Sequence, residues 1–258
     1  MSVVWAIAKT TFHEALRRRV LNIVLLFAVV SILASRLFSW LSQGEEIKFI
    51  LDMSSNSIRF FSMLIAVLLG ASMIPAEVER RTIFTILAKP VGRTQFLLGK
   101  YLGGVLTLLT NIAIMGVIYL VVLVFKDRSY AFNATLWEGV LLMVMEVSLL
   151  LAIAVATSAV ASTPFTMVFA FFIYFTGHMG EVFRQLSSPE HVSNVGVRML
   201  MGFIYAILPH FPNFDLREPL LLGEAVPLFY VGKVIVSAVV YIGVVLAIGH
   251  LLFSQREF

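Results

Sequence analysis

Residues 101–125 read YLGGVLTLLTNIAIMGVIYLVVLVF, a stretch of 25 residues without a single charged side chain. The hydrocarbon core of a bilayer is about 30 Å thick and an α-helix rises about 1.5 Å per residue, so about 20 such residues cross it. Lipid offers no hydrogen-bond partners, and a helix satisfies its backbone polar groups internally. This stretch therefore predicts a transmembrane helix.

The same length criterion predicts six spans along the chain. Five apolar stretches are as long as a span needs, and a sixth is at the short limit, with Pro164 suited to the first turn of a helix. The predicted spans are residues 20–41, 57–76, 101–125, 137–161, 164–180 and 230–253. Residues 199–208 are apolar but too short to cross, so we interpret them as a re-entrant or interfacial helix between spans five and six, within an external segment 181–229. The expected fold class is an all-α integral membrane protein.

The composition of the chain excludes a soluble enzyme. Apolar residues make up 60% and charged residues 13% of the 258, and the mean hydropathy is +0.96, whereas soluble domains carry about 25% charged residues. The absence of cysteine excludes a disulfide framework, a thiolate nucleophile and a metal site with cysteine ligands. The net charge of +4 is too small to predict binding to nucleic acid. The lipid bilayer is the expected surrounding.

Residues 1–19 predict an amphipathic helix in the membrane interface. Val4, Trp5 and Phe12 share one helical face, and Lys9 and Arg17 belong to the opposite face. A helix of this kind lies in the headgroup region, with its apolar face towards the acyl chains and its basic residues towards anionic lipid. We expect it to anchor the first span.

The distribution of Lys and Arg predicts that both termini are cytoplasmic. The segments 1–19, 77–100 and 254–258 hold ten of the 19 basic residues, and basic residues mark the cytoplasmic side. An even number of spans also places both ends on one side of the cell membrane. The alternative for the N-terminus is a cleaved secretory signal with Arg17–Arg19 as its basic region, but the apolar stretch continues past Ala34, which favours a retained span.

The polar loop 77–99 is predicted to lie on the inner side. It begins E77-V-E-R-R-T-I-F-T-I-L-A-K-P-V-G-R93, with acidic residues before basic ones, the order that the helix dipole favours. Residues 83–87 contribute four apolar side chains outside the bilayer, and Pro90 and Gly92 end the helix. A short amphipathic helix held between two spans predicts a docking element for another protein.

The pattern Glu-x-Glu-Arg-x-Thr-(x)5-Ala-x-Pro-Val-x-Arg-(x)5-Gly-Lys over residues 77–100 resembles the first cytoplasmic loop of ABC-2 type transporter permeases. Residues 8–19, 208–215 and 254–258 are similar to the N-terminal helix, an external motif and the charged tail of that family. Arg81 stands where the pattern usually has Gly. The resemblance touches the whole chain and implies a single ABC-2 type transmembrane domain over residues 1–258. It also implies a subunit that works as a homodimer or with a similar permease, docked to a separate ABC ATPase through a coupling helix.

The resemblance implies an ATPase-coupling role, by ion pairing and apolar docking, for eight loop residues. They are Glu77, Glu79, Arg80, Arg81, Thr82, Phe84, Pro90 and Arg93. The chain has no P-loop, since the nearest approach, from Gly92 to Lys100, has the wrong spacing and is followed by Tyr101 instead of Ser or Thr. We therefore expect no enzymatic activity and no cofactor of its own, with ATP bound and hydrolysed by the partner.

Glu146 lies about ten residues into the fourth predicted span. A charge at that depth costs at least about 2.5–3.5 kcal/mol unless it is protonated or paired. One interpretation places Glu146 and Asn111 on the substrate pathway, where the carboxyl contacts a cationic or polar substrate or serves as a proton-linked switch. The alternative is a protonated carboxyl hydrogen-bonded to Asn111, Thr107 or Thr110. The sequence leaves both open.

Other features have simpler interpretations. Small residues in spans two and three permit close helix approach and are interpreted as packing positions: Gly70, Ala71, Ser72, Gly103, Gly104 and Gly116. His178, His191 and His210 lack metal-ligand spacing and are interpreted as ordinary interfacial histidines. A channel or secondary transporter, and a non-transporting membrane scaffold, remain as alternative functions. Export is implied by the resemblance alone, and the substrate is not indicated.

Overall fold

The computed structural model describes residues 3–41, 44–79, 92–131, 133–188 and 194–255. Within these ranges all regular structure is helical. The α-helices are α1 (Val3–Leu16), α2 (Arg19–Phe38), α3 (Glu46–Met73), α4 (Pro75–Glu79), α5 (Arg93–Lys126), α6 (Arg128–Ala131), α7 (Ala134–Ser158), α8 (Thr163–His178), α9 (Gly180–Leu186), α10 (Val195–Ile207), α11 (Arg217–Leu222) and α12 (Leu228–Ser254). Two 3-10 segments, Ser39–Leu41 and Phe211–Phe214, complete the described structure.

Six helical stretches are long and apolar enough to cross a bilayer, which confirms the predicted number. Five of them coincide with predicted spans and correspond to α2, α3 with α4, α5, α7 and α12. The sixth is Val195–Leu222, whereas the predicted span 164–180 corresponds to α8, which is followed by α9 after a bend of 59°. That bent pair would count as a seventh candidate. Pro164 is in the first turn of α8, as predicted.

Two helices begin well before the predicted spans that they contain. The second span was expected to begin at residue 57, but α3 begins at Glu46, and α5 begins at Arg93 instead of residue 101. Hydropathy registers only the apolar part of a helix, and the polar turns that continue it are invisible to that criterion. Residues 199–208, expected to be too short to cross, lie within α10 and the candidate span Val195–Leu222, so their re-entrant or interfacial placement stays a prediction. The first turn of α10 is capped by Asn194 Oδ1, which accepts from Gly196 N at 2.9 Å.

α1 packs closely along α5, which is its most extensive contact with another helix. A Cβ at Gly103 would lie only 2.6 Å from both the Ala8 carbonyl oxygen and Thr11 Cβ, so glycine lets the two backbones approach. Trp5 on α1 remains about half exposed. The N-terminal helix is therefore attached to the bundle by one face while its aromatic anchor stays outside.

α7 and α3 form the centre of the bundle. About 72% of the spanning window of α7 and 67% of that of α3 are buried, against 22% for α2 and for α12. Gly70 and Gly104 are packing positions as predicted, because an added Cβ would lie 2.6 Å from Ala154 Cβ and 2.8 Å from Leu151 Cδ2, respectively. The same expectation is wrong for Gly116, where nothing lies within 4 Å of an added Cβ.

Candidate functional site

An ion pair joins the two helices on either side of segment 80–91. Glu77 near the end of α4 pairs with Lys100 in the second turn of α5. Lys100 is 4% exposed and the side chain of Glu77 is 14% exposed. Removing one partner of such a buried pair leaves an uncompensated charge, so the pair fixes the spacing of the two helix ends.

A second contact ties α5 to the end of the last helix. Arg93 Nη1 donates to the carbonyl oxygens of Phe253, at 3.0 Å, and of Ser254, and its guanidinium lies 5.9 Å from the centre of the Phe253 ring. A cation at a helix C-terminus is favoured by the helix dipole. Arg18, between α1 and α2, donates to Ser72 Oγ on α3. We call this end of the bundle, where α1, α3, α5 and α12 are connected, the loop end.

The predicted coupling residues divide into two groups. Glu77, Glu79 and Arg93 belong to the loop end, with Glu79 exposed as the last residue of α4. The remaining predicted residues lie outside the described part of the chain: Arg80, Arg81, Thr82, Phe84 and Pro90. Their coupling role stays a prediction.

Glu146 is completely buried in α7 and faces polar side chains from two other helices. The Tyr174 hydroxyl donates to Glu146 Oε1 at 3.2 Å, and His178 Nε2 lies 3.7 Å from the same oxygen. Arg59 Nε on α3 lies 3.6 Å from Glu146 Oε2. That distance is too long for a hydrogen bond but short enough for strong charge attraction in a buried environment. Glu146 is thus paired with a cation inside the bundle.

The charged groups continue from Arg59 towards the segment between α10 and α12. Arg59 Nη1 lies 3.1 Å from Asp215 Oδ2, and Arg217 Nη2 lies 2.6 Å from the same oxygen. Arg217 Nη1 lies 3.3 Å from Asp52 Oδ1. We call Asp52, Arg59, Glu146, Asp215 and Arg217 the ionic cluster. It connects α3 and α7 to the beginning of α11.

The alternative in which Glu146 is hydrogen-bonded to Asn111, Thr107 or Thr110 is not what the structure has: the hydrogen bond to Glu146 comes from Tyr174. Asn111 Nδ2 donates to the Thr107 carbonyl oxygen at 2.8 Å, and the hydroxyls of Thr107 and Thr110 donate to carbonyl oxygens one turn earlier in α5, each at 2.9 Å. Thr107 and Thr110 therefore use their only donor, and Asn111 uses one of its two, within their own helix. Arg59 and Tyr174 are the groups that contact the Glu146 carboxyl instead. A pathway role for Asn111 and Glu146 stays a prediction.

Arg59 is the functional residue that the sequence interpretation missed. It lies inside the predicted span 57–76, so the energetic argument that singles out Glu146 applied to it equally. One acid and one base in two different apolar spans are the signal that could have suggested a pair. Asp215 and Arg217 carried no comparable signal, because they belong to a polar segment with several prolines.

The histidines have different surroundings. His178, interpreted as an ordinary interfacial residue, contacts the ionic cluster through Glu146, and its Nδ1 lies 3.0 Å from the Tyr174 carbonyl oxygen. The ring of His210 lies edge-on to Tyr205, with the ring centres 4.3 Å apart. His191 lies outside the described residues. Within the described ranges, no group of three or more His, Asp or Glu side chains is arranged to hold a metal ion.

Among known proteins, the chain matches the family described as ABC-2 family transporter protein over residues 5–258. The chain belongs to this ABC-2 family. Two similar relatives are the probable ABC transporter permease protein NosY of Pseudomonas aeruginosa, 36% identical over 108 residues, and its namesake in Stutzerimonas stutzeri, 35% identical over 111 residues. Each match covers 40% of this chain and 39% of the relative, so the chain spans about two fifths of the relatives' length.

The family and the helices together establish the general role of the chain. It is a multi-pass membrane protein and a permease subunit of an ABC transporter.

Proposed function

We propose that this ABC-2 permease forms the membrane pathway of an ATP-driven exporter and receives force at segment 80–91 from a separate ABC ATPase. It works as a homodimer or beside a similar permease, in the inner or plasma membrane, with both termini in the cytoplasm. It needs no cofactor of its own, because ATP is bound by the partner. The observation that carries the proposal is the buried pair of Glu77 and Lys100, which holds together the two helices that flank this segment, α4 and α5.

The loop end has the properties that force transmission requires. A flexible attachment would absorb a push from a partner, whereas an attachment made by buried ion pairs moves as one body. Glu77 and Lys100 hold α4 to α5, and Arg93 holds α5 to the last turn of α12. A displacement of segment 80–91 would therefore tilt three helices together.

The contacts at the loop end also support the proposed orientation. Arg18, after α1, contacts Ser72, and Arg93, at the start of α5, contacts Phe253, so the ends of α1, α3 and α12 and the beginning of α5 share one end of the bundle. These segments hold most of the basic residues that mark a cytoplasmic side. This arrangement supports the proposal that both termini and the docking element lie in the cytoplasm.

A charge reversal at Glu79 tests the proposal. Glu79 is exposed at the end of α4, and E79K should weaken docking of the ATPase about tenfold if one ion pair worth about 1.4 kcal/mol is lost. The measurements are the amount of ATPase that co-purifies and the rate of ATP hydrolysis of the complex in nanodiscs. Membrane insertion should be unchanged, and transport should no longer follow ATP hydrolysis.

The matched control is E218K, which makes the same charge change at an exposed residue of α11, on the opposite end of the bundle. We expect E218K to bind the ATPase as the unmodified chain does. A channel, a secondary transporter or a non-transporting scaffold would respond equally to E79K and E218K. Equal behaviour of the two variants would therefore contradict the proposal.

A further inference from the structure

Lys233 is the only Asp, Glu, Lys or Arg residue of α12. It is exposed and forms no hydrogen bond or ion pair within the described part of the chain. The last turn of α12 belongs to the loop end, through the contact of Arg93 with Phe253, so Lys233 lies near the opposite end of the bundle. It follows the first residue of α12 by five positions, which is about 8 Å of helix. An ionisable side chain on a membrane helix indicates a polar or water-filled space beside it.

A cavity of about 200 Å³ lies beside Lys233, between α7, α12 and the segment 209–214. We call it the polar cavity. Its lining on α12 extends from Tyr230 to Tyr241, so it occupies the half of this helix that is remote from the loop end. A cavity of about 150 Å³ is large enough for benzene, so the polar cavity has room for a small ligand. Its polar lining consists of His210, Asn213, Tyr230, Lys233, Ser237 and Tyr241.

Two tyrosines occupy backbone acceptors at the polar cavity. The Tyr230 hydroxyl donates to the Asn213 carbonyl oxygen at 3.0 Å, and the Tyr241 hydroxyl donates to the Leu208 carbonyl oxygen at 3.3 Å. These bonds hold α12 to the segment 208–214 and keep the cavity between them. They also use two carbonyl oxygens that could otherwise have accepted from Lys233.

Three side chains of the polar cavity keep unused donors. The ammonium of Lys233 has three, the amide of Asn213 has two and the hydroxyl of Ser237 has one, and none of them makes a hydrogen bond within the described ranges. The buried Nε2 of His210 is also without a partner among the described residues. None of the residues that line the cavity is Asp or Glu. The polar cavity is therefore rich in donors and carries a positive charge.

We propose that the polar cavity binds a small, water-soluble oxyanion such as phosphate, with Lys233 as its counterion. The oxyanion accepts hydrogen bonds from Lys233, Asn213 and Ser237. Hydrogen bonds to an ionised group are about twice as strong as those between neutral groups. The apolar part of the wall, which includes Leu149 and Phe214, lowers the local dielectric constant and strengthens the attraction further.

The lining of the polar cavity disfavours other classes of ligand. Metal ions in proteins are held by several carboxylate, histidine or cysteine ligands, and this lining supplies one histidine beside an ammonium group. An apolar ligand would leave the donors of Lys233, Asn213 and Ser237 buried without partners, which costs free energy. The site does not depend on the coupling proposal, because it uses no residue of the loop end.

Thermal unfolding of the purified full-length chain tests the proposal. In lipid-free detergent, phosphate should raise the midpoint of unfolding in a saturable manner, because a ligand that binds only the folded state stabilises it. Chloride at the same ionic strength and uncharged glycerol should not have this effect. K233M should weaken phosphate binding about tenfold, which corresponds to about 1.4 kcal/mol. K48M removes an exposed lysine elsewhere on the bundle and should bind phosphate as the unmodified chain does.

Two further variants separate the charge from the hydrogen bonds. N213L removes the amide donors and leaves the backbone carbonyl that accepts from Tyr230. It should weaken phosphate binding about fivefold, the effect of one hydrogen bond of about 1 kcal/mol. K233R keeps the positive charge and should restore most of the affinity that K233M loses. The proposal is overturned if phosphate does not raise the midpoint of the unmodified chain, or if K233M and K48M respond to phosphate alike.

Phosphatidylglycerol distinguishes a soluble oxyanion from a lipid headgroup, the other source of a phosphate group. Added to the detergent in place of phosphate, it should not raise the midpoint of the unmodified chain above that of K233M. A rise that depends on Lys233 with phosphatidylglycerol, and none with phosphate, would mean that the polar cavity takes a headgroup. That outcome would overturn the proposal.

Discussion

Arg59 Nη1 lies 3.1 Å from Asp215 Oδ2, a contact that joins the middle of α3 to the segment before α11. The helical stretch that carries Arg59 continues from Glu46 to Glu79, and Arg59 is 20 residues, or about 30 Å, from its end at the loop. A displacement of Glu79 therefore reaches the ionic cluster through one helical stretch. We infer that the cluster holds the segment around Asp215 against the bundle until α3 moves.

Replacing Arg59 by Met should destabilise the protein strongly. Glu146 and Asp215 would both lose a cation, and removal of one partner from a buried pair costs about 3–5 kcal/mol. E146Q should cost less, because Gln still accepts from Tyr174 and leaves Arg59 paired with Asp215. The midpoint of thermal unfolding in detergent measures both effects.

The double variant R59M/E146Q provides the control for this pair. It should be more stable than R59M alone, since it removes the unpaired carboxylate together with the cation. If the loss of stability in the double variant equals the sum of the losses in the two single variants, Arg59 and Glu146 do not interact. The pairing also leads us to expect that E146Q still transports. Loss of transport with normal assembly would instead support direct contact of Glu146 with substrate or a proton.

Replacing Asp215 by Asn should loosen the segment that contains α11. Asp215 accepts from Arg217 and pairs with Arg59. The side chain of Asn is neutral, so both arginines would lose an ion pair. Amide hydrogen exchange in residues 211–222 should become faster, because local opening costs less free energy. E218Q, a similar change at an exposed position of α11, should leave the exchange rates unaltered. Equal exchange rates in D215N and the unmodified chain would contradict the inference that the ionic cluster holds this segment against the bundle.

Gly103 and Gly116 provide a matched pair for the packing of α1. G103A places a Cβ 2.6 Å from the Ala8 carbonyl oxygen, which belongs to a helix backbone and cannot easily move. Overpacking of this kind costs about 1–3 kcal/mol. G116A meets nothing within 4 Å and should be neutral, or more stable by up to about 1 kcal/mol through helix propensity. The midpoints of thermal unfolding of G103A and G116A measure both effects. Equal shifts of the two midpoints would argue against close packing of α1 against α5.

The sequence predicts those features that depend on one stretch of residues at a time. Tyr101–Phe125 lies within α5 as expected, because transfer of apolar side chains into lipid is a property of each residue. Pro164 lies in the first turn of α8 for an equally local reason, since a proline there loses no hydrogen bond. The number of six candidate spans follows from such arguments, but the sixth is Val195–Leu222 and not the predicted 164–180.

The ionic cluster could not be predicted in this way. Arg59 and Asp215 are far apart in the sequence, and their contact depends on how α3 packs against the segment after α10. The expected partners of Glu146 were chosen from α5 because Asn111 and Thr107 are polar, yet both satisfy their hydrogen bonds within α5. Intrahelical bonding of this type competes with contacts between helices, and the sequence does not show which one wins.

The pair of Glu77 and Lys100 can be tested by exchanging its charges. E77K and K100E each place two like charges together in a buried position, so each should cost about 3 kcal/mol or more. E77K/K100E restores opposite charges and should recover part of the stability and of the ATP hydrolysis rate of the complex. If the loss of stability in E77K/K100E equals the sum of the losses in the two single variants, the pair does not connect α4 to α5.

The proposed docking of segment 80–91 onto an ATPase can be measured directly, because the chain has no cysteine and one introduced thiol is unique. F84C tests the predicted docking element, and E224C, at an exposed residue on the opposite end of the bundle, is the control. We predict that the F84C thiol is protected from a membrane-impermeant maleimide in intact cells and crosslinks to a protein with an ATP-binding cassette, while the E224C thiol reacts from outside and forms no such crosslink. Labelling of F84C from outside the cell, or its failure to crosslink to any nucleotide-hydrolysing protein, would contradict the coupling account.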